Sequence, residues 1–400
     1  MCSACVVVVE KYTFGTPSRA VPACPENRVP NLQLFHRNIT ATADSASDWT
    51  TKLSQILSII TRSMTTFMLL LVGALLSHAA ALAAQCPPKP SVSTTPIEDP
   101  LYLLFGAACI PHPEKLAKGG EDAYFADAHA GTFGVADGVG GSAVDGVDPG
   151  VFSRRLLQLC HSNLCVSKDC QSVLRDSIRS AADAFTAQEV PTGGHSTLLL
   201  GQLSPTGMLR LLNVGDSAVM IFRPSPRRLY GYPKPVRWPR IVARSHEAQH
   251  YFNCPYQVSA ATLLKAVMEG ADEMQVAVCA GDVVVAVTDG VIDNMFQSHI
   301  QELVAGHLQE LAAEDPADCA SRLNALARQL AEAAAAIGLR GSDPSTCTPF
   351  AEAARAEGIV NLDGGKLDDC TVVCGVVKRK AASQEESSLD LPTLNNFIEQ

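Results

Sequence analysis

Five aspartates stand where strand-like apolar runs meet glycine, serine or acidic turns: Asp122, Asp137, Asp216, Asp289 and Asp368. Asp137 and Asp289 each close an apolar run, whereas Asp368 precedes one. Because an antiparallel strand begins beside the end of its neighbour, carboxylates in these positions can converge at one edge of a sheet. Acids gathered there without matching Lys or Arg repel one another unless cations neutralise them. The spacing therefore indicates a single metal site.

The residue types at this site also indicate which cation binds there. Carboxylates, backbone carbonyls and water suit hard ions such as magnesium or manganese rather than zinc. The sequence has no Cys/His spacing typical of a zinc site. The glycines after Asp137 and Asp289 lack a Cβ and let a main-chain carbonyl or a substrate approach closely. Asp-Gly pairs also occur in ordinary turns, but five acids at strand ends favour the metal site.

The elements that must position these acids are short strands and flanking helices. Alternating and continuous apolar runs predict the strands, and apolar residues at helical spacing predict the helices. We expect strands over 196–203 and 209–222, helices from Pro149 and over 177–187, 300–311 and 323–330, and a surface loop over 223–240.

Most of the 14 cysteines are interpreted as buried thiols. Cys279, Cys370 and Cys374 lie in apolar segments, which supports this interpretation. Three others, at five-residue intervals from Cys160 to Cys170, match neither a zinc ribbon nor one helix face. A redox or disulfide role stays open for those three.

Six motifs follow one another in order: GEDA at 120–123, VADGVGG at 135–141, GHSTL at 194–198, NVGDS at 213–217, TDGVIDN at 288–294 and KLDDCT at 366–371. Together they resemble the motifs of the protein phosphatase 2C family of metal-dependent Ser/Thr phosphatases. Residues 250–257 and 348–354 resemble the branch that includes organellar phosphatases of animals and plants. The resemblance covers about residues 115–378, and order and spacing both match.

The resemblance implies an α+β fold, an αββα sandwich of two antiparallel β-sheets flanked by helices, with a binuclear Mg²⁺ or Mn²⁺ centre at one end. The metal-binding residues carried over by position are Asp137, Gly138, Asp289, Asp368, Asp122, Glu121 and Asp216. Asp137 would bridge both ions, and Asp122 and Glu121 would act mainly through metal-bound water. Asp216 matches an acid that holds a weaker third ion in some relatives.

The implied reaction is hydrolysis of phosphoserine and phosphothreonine monoesters in proteins by a metal-activated water, without a covalent phosphoenzyme. No side chain is assigned as the nucleophile, because no Cys precedes an Arg-rich phosphate loop. His195 beside Ser196 suggests a base and a nucleophile, but adjacent residues on a strand point to opposite faces. Both are therefore interpreted as structural.

Two departures from the family pattern leave alternatives open. Val139 stands where many members have a His, and the Arg that holds the substrate phosphate is missing before Glu121. Lys118 and Lys115 are the nearest basic candidates for phosphate binding, as point charges without a bidentate fork. The alternatives are a phosphatase of a small phosphorylated metabolite and a catalytically silent module that binds phosphoproteins.

Length and composition favour one catalytic domain with extensions. The chain has 400 residues and 47% hydrophobic residues, which is ample for a large core. We expect an N-terminal extension over 1–90, a catalytic domain over 91–379 and a disordered tail over 380–400. The net charge of −10 and the lack of a basic patch with interleaved aromatics argue against nucleic acid as a partner. A phosphorylated protein is the expected substrate, and a monomer the expected state.

The extension contains an apolar stretch of 18 residues, 67–84, whose length is marginal for spanning a bilayer. Three interpretations compete: a signal peptide ending near Ala84, a single membrane anchor, or the apolar part of an organelle import sequence. A translation start at Met64 would make the signal peptide natural. The expected location is therefore a membrane or the secretory pathway, with mitochondrion or plastid as the alternative.

Overall fold

The architecture is known from a computed structural model, which describes residues 100–141, 147–164, 172–187, 193–204, 206–227, 236–380 and 392–397. The described strands are β1 (Leu101–Ile110), β2 (Asp122–Asp127), β3 (Thr132–Asp137), β4 (Leu198–Leu203), β5 (Met208–Val214), β6 (Ala218–Arg227), β7 (Val236–Arg244), β8 (Gln249–Tyr251), β9 (Cys254–Pro255), β10 (Asp272–Ala277), β11 (Val283–Val287), β12 (Cys370–Arg379) and β13 (Leu394–Asn395). The described α-helices are α1 (Pro149–Leu164), α2 (Val173–Thr186), α3 (Leu263–Gly270), α4 (Asp289–Ile292), α5 (Gln297–His307), α6 (Pro316–Gly338) and α7 (Pro349–Ala356).

Two antiparallel sheets pack against each other. One has five strands in the order β1-β12-β11-β6-β7, and the other has six in the order β10-β5-β4-β3-β2-β13. Buried side chains of both inner faces form one cluster, which includes Phe105 and Val284 from the first sheet and Phe133 and Leu211 from the second. This continuous apolar layer excludes water between the sheets and supplies much of the driving force for folding.

Helices cover the outer faces of both sheets. Leu323, Leu326 and Leu330 of α6 pack on the outer face of the first sheet, and α1 and α2 pack on the second. The start of α6 is set locally, because the Asp315 side chain accepts a hydrogen bond from the backbone N of Asp318 at 2.8 Å and Pro316 opens the helix. The predicted αββα sandwich is thereby confirmed.

Several expected boundaries hold and others need correction. The helix from Pro149 and the helical segment 323–330 are confirmed, although α2 begins earlier than expected, at Val173. The expected strand over 209–222 is wrong, because the backbone turns at Gly215, where φ is 109°, and divides it into β5 and β6.

The loop expected over 223–240 is also wrong in part. Strand β6 runs to Arg227 and β7 begins at Val236, so both ends of this segment belong to a hairpin despite their prolines. The disordered tail expected over 380–400 is wrong for Leu394–Asn395, which pair with β2. Cys279 is exposed in the turn before β11, whereas Cys370 and Cys374 are buried as expected.

The apolar stretch 67–84 lies outside the described residues. Within the described ranges, no helix is both long enough and apolar enough to cross a bilayer.

Candidate metal centre

Both sheets deliver acids to the same end of the sandwich. In the second sheet, Asp122 at the start of β2 is the register partner of Asp137 at the end of β3. In the first sheet, β11 and β12 are neighbours, so Asp289 after β11 and Asp368 before β12 come together. Asp216 lies in the turn between β5 and β6, and its carboxylate interacts electrostatically with that of Asp289. The convergence follows from antiparallel pairing, as the sequence pattern implied.

Glycines allow the main chain to pack tightly around the acids. A Cβ at Gly138 would lie 2.7 Å from the carbonyl oxygens of Glu121 and Pro149. A Cβ at Gly290 would lie 2.0 Å from the carbonyl oxygen of Asp369. Contacts this short are repulsive, so each position requires glycine for close packing of the backbone.

Burial and mutual repulsion perturb the carboxylates. Desolvation, followed by the charge of Asp289, raises the pKa of Asp137 well above its ordinary value. Desolvation, followed by the charge of Asp369, does the same for the pKa of Asp122. Burial, with Asp289 as the second cause, raises the pKa of Asp216 to about 7. These groups favour either protons or cations as counter-charges.

Unsatisfied oxygens indicate which of the two counter-charges fits. Among the described residues, Oδ1 of Asp122, Oδ1 of Asp216 and Oδ1 of Asp289 are buried and have no hydrogen-bond partner. A buried carboxylate oxygen without a partner carries its full desolvation cost. Oxygen donors of this kind are the ligands that Mg²⁺ and Mn²⁺ prefer. The residues present therefore fit hard divalent cations.

Two lysines enter the cluster, contrary to the expectation that no basic residue matches these acids. Nζ of Lys366 ion-pairs with Asp289, lies 2.8 Å from Oδ2 of Asp293 and lies 3.4 Å from Oδ2 of Asp368. Burial lowers the pKa of Lys366, but these three acids outweigh it and raise that pKa well above its ordinary value.

The second lysine, Lys115, lies on the Glu121 side of the cluster. Its Nζ is 2.6 Å from Oε2 of Glu121, 3.3 Å from Oδ2 of Asp369 and 3.6 Å from Oδ1 of Asp368. Within the described ranges, no three His, Cys, Asp or Glu side chains stand close enough together to form a ready ligand set. The lysines hold several of the carboxylates instead.

Sequence reasoning missed the residues that orient the acids. Asp369 accepts hydrogen bonds from the backbone N of His112 at 2.6 Å and of Glu121 at 2.9 Å. Asn294 bridges two motifs, because its Nδ2 donates to the carbonyl oxygen of Gly290 at 2.8 Å and to that of Lys366 at 2.7 Å. Asp369 lies in the KLDDCT motif and Asn294 in the TDGVIDN motif. Their place in these motifs was the one sign in the sequence that they belong to the site.

The structure separates the two candidate phosphate-binding lysines. Lys115 lies inside the acid cluster, whereas the side chain of Lys118 is 62% exposed and its Nζ lies 3.6 Å from Oδ2 of Asp148. Ser196 is fully buried, and its Oγ donates to the carbonyl oxygen of Asp137 at 2.9 Å. Such a contact fits the structural interpretation of Ser196, because it fixes the backbone beside Asp137.

A cavity of about 730 Å³ adjoins the cluster. Asp293 lies on its wall, and Gln249, also on the wall, donates from Nε2 to Oδ2 of Asp216 at 2.8 Å. Phe350 forms another part of the wall, and Nζ of Lys366 lies 5.6 Å from the centroid of its ring. The cavity therefore lies beside the cluster, to which Asp293 and Gln249 connect it, and has an aromatic wall.

No family model matches the chain. The chain is 36% identical over 296 residues to probable protein phosphatase 2C 55 of Arabidopsis thaliana, covering 74% of this chain and 56% of that protein. It is 33% identical over 293 residues to probable protein phosphatase 2C 26 of the same plant, covering 70% of this chain and 86% of that protein. The chain covers 56% of the first of these proteins and 52% of probable protein phosphatase 2C 71 of Oryza sativa subsp. japonica, so it spans about half the length of both.

Among solved structures, the chain is similar to the X-ray structure of the photosystem II phosphatase PBCP. The TM-score is 0.54 at 28% sequence identity, and the match covers 69% of this chain and 99% of that chain. The chain therefore belongs to the protein phosphatase 2C family.

Proposed function

We propose that the chain hydrolyses phosphoserine and phosphothreonine monoesters in proteins and uses two Mg²⁺ or Mn²⁺ ions. The observation that supports this most directly is the set of buried carboxylates with unpartnered oxygens, which meet at one end of the sandwich. Membership of the family supplies the reaction class.

The residues that would hold the ions are Asp137, Asp289, Asp368 and the carbonyl of Gly138, with Asp122 and Glu121 beside them and Asp216 available to a third ion. Bound there, the ions would lower the pKa of a coordinated water and neutralise charge on the phosphoryl group. Asp369 and Asn294 fix the backbone around these ligands.

Lys115 is the residue best placed to attract the substrate phosphate. Its side chain is 26% exposed and it already lies against the acids, so an incoming phosphate can share its charge. Burial lowers the pKa of Lys115, but Glu121, Asp368 and Asp369 outweigh it and raise that pKa above its ordinary value, which keeps the ammonium charged. Lys118, exposed and paired with Asp148, plays no part in this proposal.

The cavity beside Asp293 would receive the polypeptide around the phosphorylated residue. Its volume of about 730 Å³ exceeds the size of a phosphorylated side chain and lies within the range of ligand-binding pockets. An aromatic wall such as that formed by Phe350 suits apolar side chains of a peptide more than a charged metabolite. This favours a protein substrate over a small phosphorylated metabolite.

A catalytically silent module that binds phosphoproteins is the second candidate. Lys366 and Lys115 already neutralise part of the acid cluster without any divalent cation. In addition, Val139 stands in place of the His of many relatives. A protein in which the lysines permanently replace the metal ions would bind phosphate without hydrolysing it.

Phosphate release from a phosphothreonine peptide separates these candidates. The protein is assayed with Mn²⁺, with Mg²⁺ and with chelator, beside the variant Asp289→Ala and the matched control Asp363→Ala. Asp363 is 43% exposed and pairs with Arg355 at 3.6 Å. We expect metal-dependent release that Asp289→Ala abolishes and Asp363→Ala retains. No release from the folded protein with either metal would favour the silent module, and faster turnover of phosphorylated metabolites would favour the small-molecule phosphatase.

For the location of the protein we propose that residues 67–84 direct it to a membrane or to the secretory pathway. Their apolar length and the Ala-rich end support this. Sequencing of the mature N-terminus tests the idea, because a start near Gln85 indicates a cleaved signal peptide. A mature protein that retains 67–84 in a soluble fraction would contradict it.

A further inference from the structure

The segment 392–397 covers the outer edge of β2, the strand that begins with Asp122. Within this segment, β13 pairs antiparallel with Phe125 and Ala126 of β2 and is the last strand of its sheet. Without it, the backbone N–H and C=O groups on that side of β2 would form an open edge. The strand that carries part of the acid cluster therefore depends on a distant part of the chain for its pairing.

Beyond β13 the pairing continues through the side chain of Asn396. Its Oδ1 accepts a hydrogen bond from the backbone N of Tyr124 at 2.9 Å, and its Nδ2 donates to the carbonyl oxygen of Asp122 at 2.9 Å. One amide thus satisfies a donor and an acceptor of β2, as another strand would. The carbonyl belongs to the residue whose register partner on β3 is Asp137.

Phe397 anchors the end of this segment. It packs against the apolar cluster beneath α1, and its ring centroid lies 6.5 Å from that of His161. His161 in turn places Nε2 at 3.0 Å from Oδ2 of Asp127, at the other end of β2. The segment 392–397 is therefore attached along the length of β2 and also to α1, the helix that packs on β2.

The start of β2 is held on its other sides as well. Oγ of Ser153 on α1 donates to the carbonyl oxygen of Glu121 at 2.5 Å, and Asp369 accepts from the backbone N of Glu121 at 2.9 Å. Asn396 supplies the corresponding contact one residue further along, at Asp122. Loss of the Asn396 side chain would expose the carbonyl of Asp122 and the amide of Tyr124 to water at the strand edge.

We propose that the segment 392–397 positions Asp122 for divalent-cation binding, with Asn396 as the positioning residue, so that docking of the segment and occupancy of the metal centre stabilise each other. The inference rests on the cation binding of the proposed function, not on the identity of the substrate. Ordering β2 before the ion arrives removes a cost that binding would otherwise carry. Because such coupling is reciprocal, the ion must also stabilise the docked segment.

Titration of the full chain with Mn²⁺, followed through the electron paramagnetic resonance signal of free Mn²⁺, tests the coupling without an activity readout. We expect Asn396→Ala to raise the Kd for Mn²⁺ about three- to tenfold, as expected for the loss of one or two hydrogen bonds. Asn395→Ala is the matched control, because its Oδ1 accepts from the backbone N of Phe397 at 3.1 Å, a contact within the segment itself. It should bind Mn²⁺ as the unaltered chain does.

The outcomes separate this inference from the proposed function. If Asn396→Ala, Asn395→Ala and the unaltered chain bind Mn²⁺ with equal affinity, the role of Asn396 is refuted and the proposed function is not. Failure of the unaltered chain to bind Mn²⁺ overturns both proposals.

Hydrogen exchange on the unaltered chain decides the matter if Asn396→Ala does not fold. Saturating Mn²⁺ should slow exchange of the Tyr124 amide, which donates to Asn396, and of the amides in 394–397. Exchange rates at these amides that do not respond to Mn²⁺ refute the coupling.

Discussion

Lys366 is expected to compete with divalent cations for the acid cluster, and its replacement tests the electrostatic account of the site. Lys366→Met keeps an unbranched side chain of similar length and removes the ammonium group. The backbone N of Lys366 donates to Oδ1 of Asn294 at 2.9 Å, and this contact is retained because it involves no side-chain atom of Lys366. The substitution therefore changes mainly the charge among Asp289, Asp293 and Asp368.

The magnitude follows from burial and from the number of partners. The side chain of Lys366 is 17% exposed and meets three carboxylates. Removal of one partner from a buried ion pair costs about 3–5 kcal/mol, and the residual exposure places this case at about 3 kcal/mol. The cost applies to the metal-free protein with these carboxylates ionised.

The cost should shrink as pH falls, because a proton can replace the ammonium charge. In the unaltered chain burial, partly offset by Lys366, sets the pKa of Asp293 at about 7, against 3.8 for the ordinary group. A carboxyl group whose pKa is raised on folding stabilises the fold as pH falls through that pKa. Lys366→Met loses the charge that lowers this pKa, so its Asp293 takes up the proton above pH 7. Each pH unit over which the variant alone gains this proton recovers about 1.36 kcal/mol, and below pH 7 the difference between the two proteins stays constant.

The assay is denaturant unfolding in chelator at about pH 9 and about pH 6, together with Mn²⁺ titration. Lys265→Met is the control, because Lys265 is 72% exposed and lies 4.0 Å from Glu269, so its loss should cost less than about 0.5 kcal/mol. We expect Lys366→Met to bind Mn²⁺ more tightly than the unaltered chain. Equal destabilisation at both pH values, or weaker Mn²⁺ binding, would refute the idea that ammonium, proton and metal ion compete for the same carboxylates.

Three further predictions concern packing, substrate and thiols. Gly290→Ala should weaken Mn²⁺ binding and lower the melting temperature, because its Cβ would meet a carbonyl oxygen at 2.0 Å. Gly306→Ala, whose new Cβ would lie more than 4 Å from any atom outside its own stretch of helix backbone, should instead stabilise the fold by about 0.5–1 kcal/mol in thermal unfolding. Phe350→Ala should raise KM for a phosphopeptide several-fold with little change in hydrolysis of a small aryl phosphate, and equal effects on both substrates would argue against a peptide in the cavity. Alkylation of the native protein should label exposed Cys279 and leave buried Cys370 unlabelled until denaturation, as mass spectrometry would show.

The sequence predicted the sandwich and the convergence of the acids because both depend on local patterns. Apolar runs ending at Asp137 and Asp289 give the strands, and antiparallel pairing then brings their ends together. The break at Gly215 was missed because the apolar pattern continues on both sides of it, from β5 into β6. Periodicity cannot distinguish one long strand from two that a single glycine separates.

Contacts between residues far apart in sequence were the part that patterns did not predict. The pairing of Leu394–Asn395 with β2 joins segments more than 260 residues apart, and neither carries a local signal for the other. Cys279 lies in an apolar segment of the sequence and was expected inside, but it is exposed in the turn after β10. Burial of such a residue depends on where the turn points, which tertiary structure decides.

The lysines within the acid cluster show why charge patterns alone mispredict a site of this kind. Lys115 precedes the GEDA motif and Lys366 opens the KLDDCT motif. Their positions in the sequence place them near the acids but do not show that their ammonium groups reach the carboxylates. Without a counter-charge, several buried carboxylates at one sheet edge would strongly destabilise the metal-free fold. Lysines that ion-pair with these carboxylates let the chain fold before metal ions bind. Each metal ion must then displace an ammonium group from the carboxylates. The affinity for metal ions should therefore be set as much by these two lysines as by the carboxylates themselves.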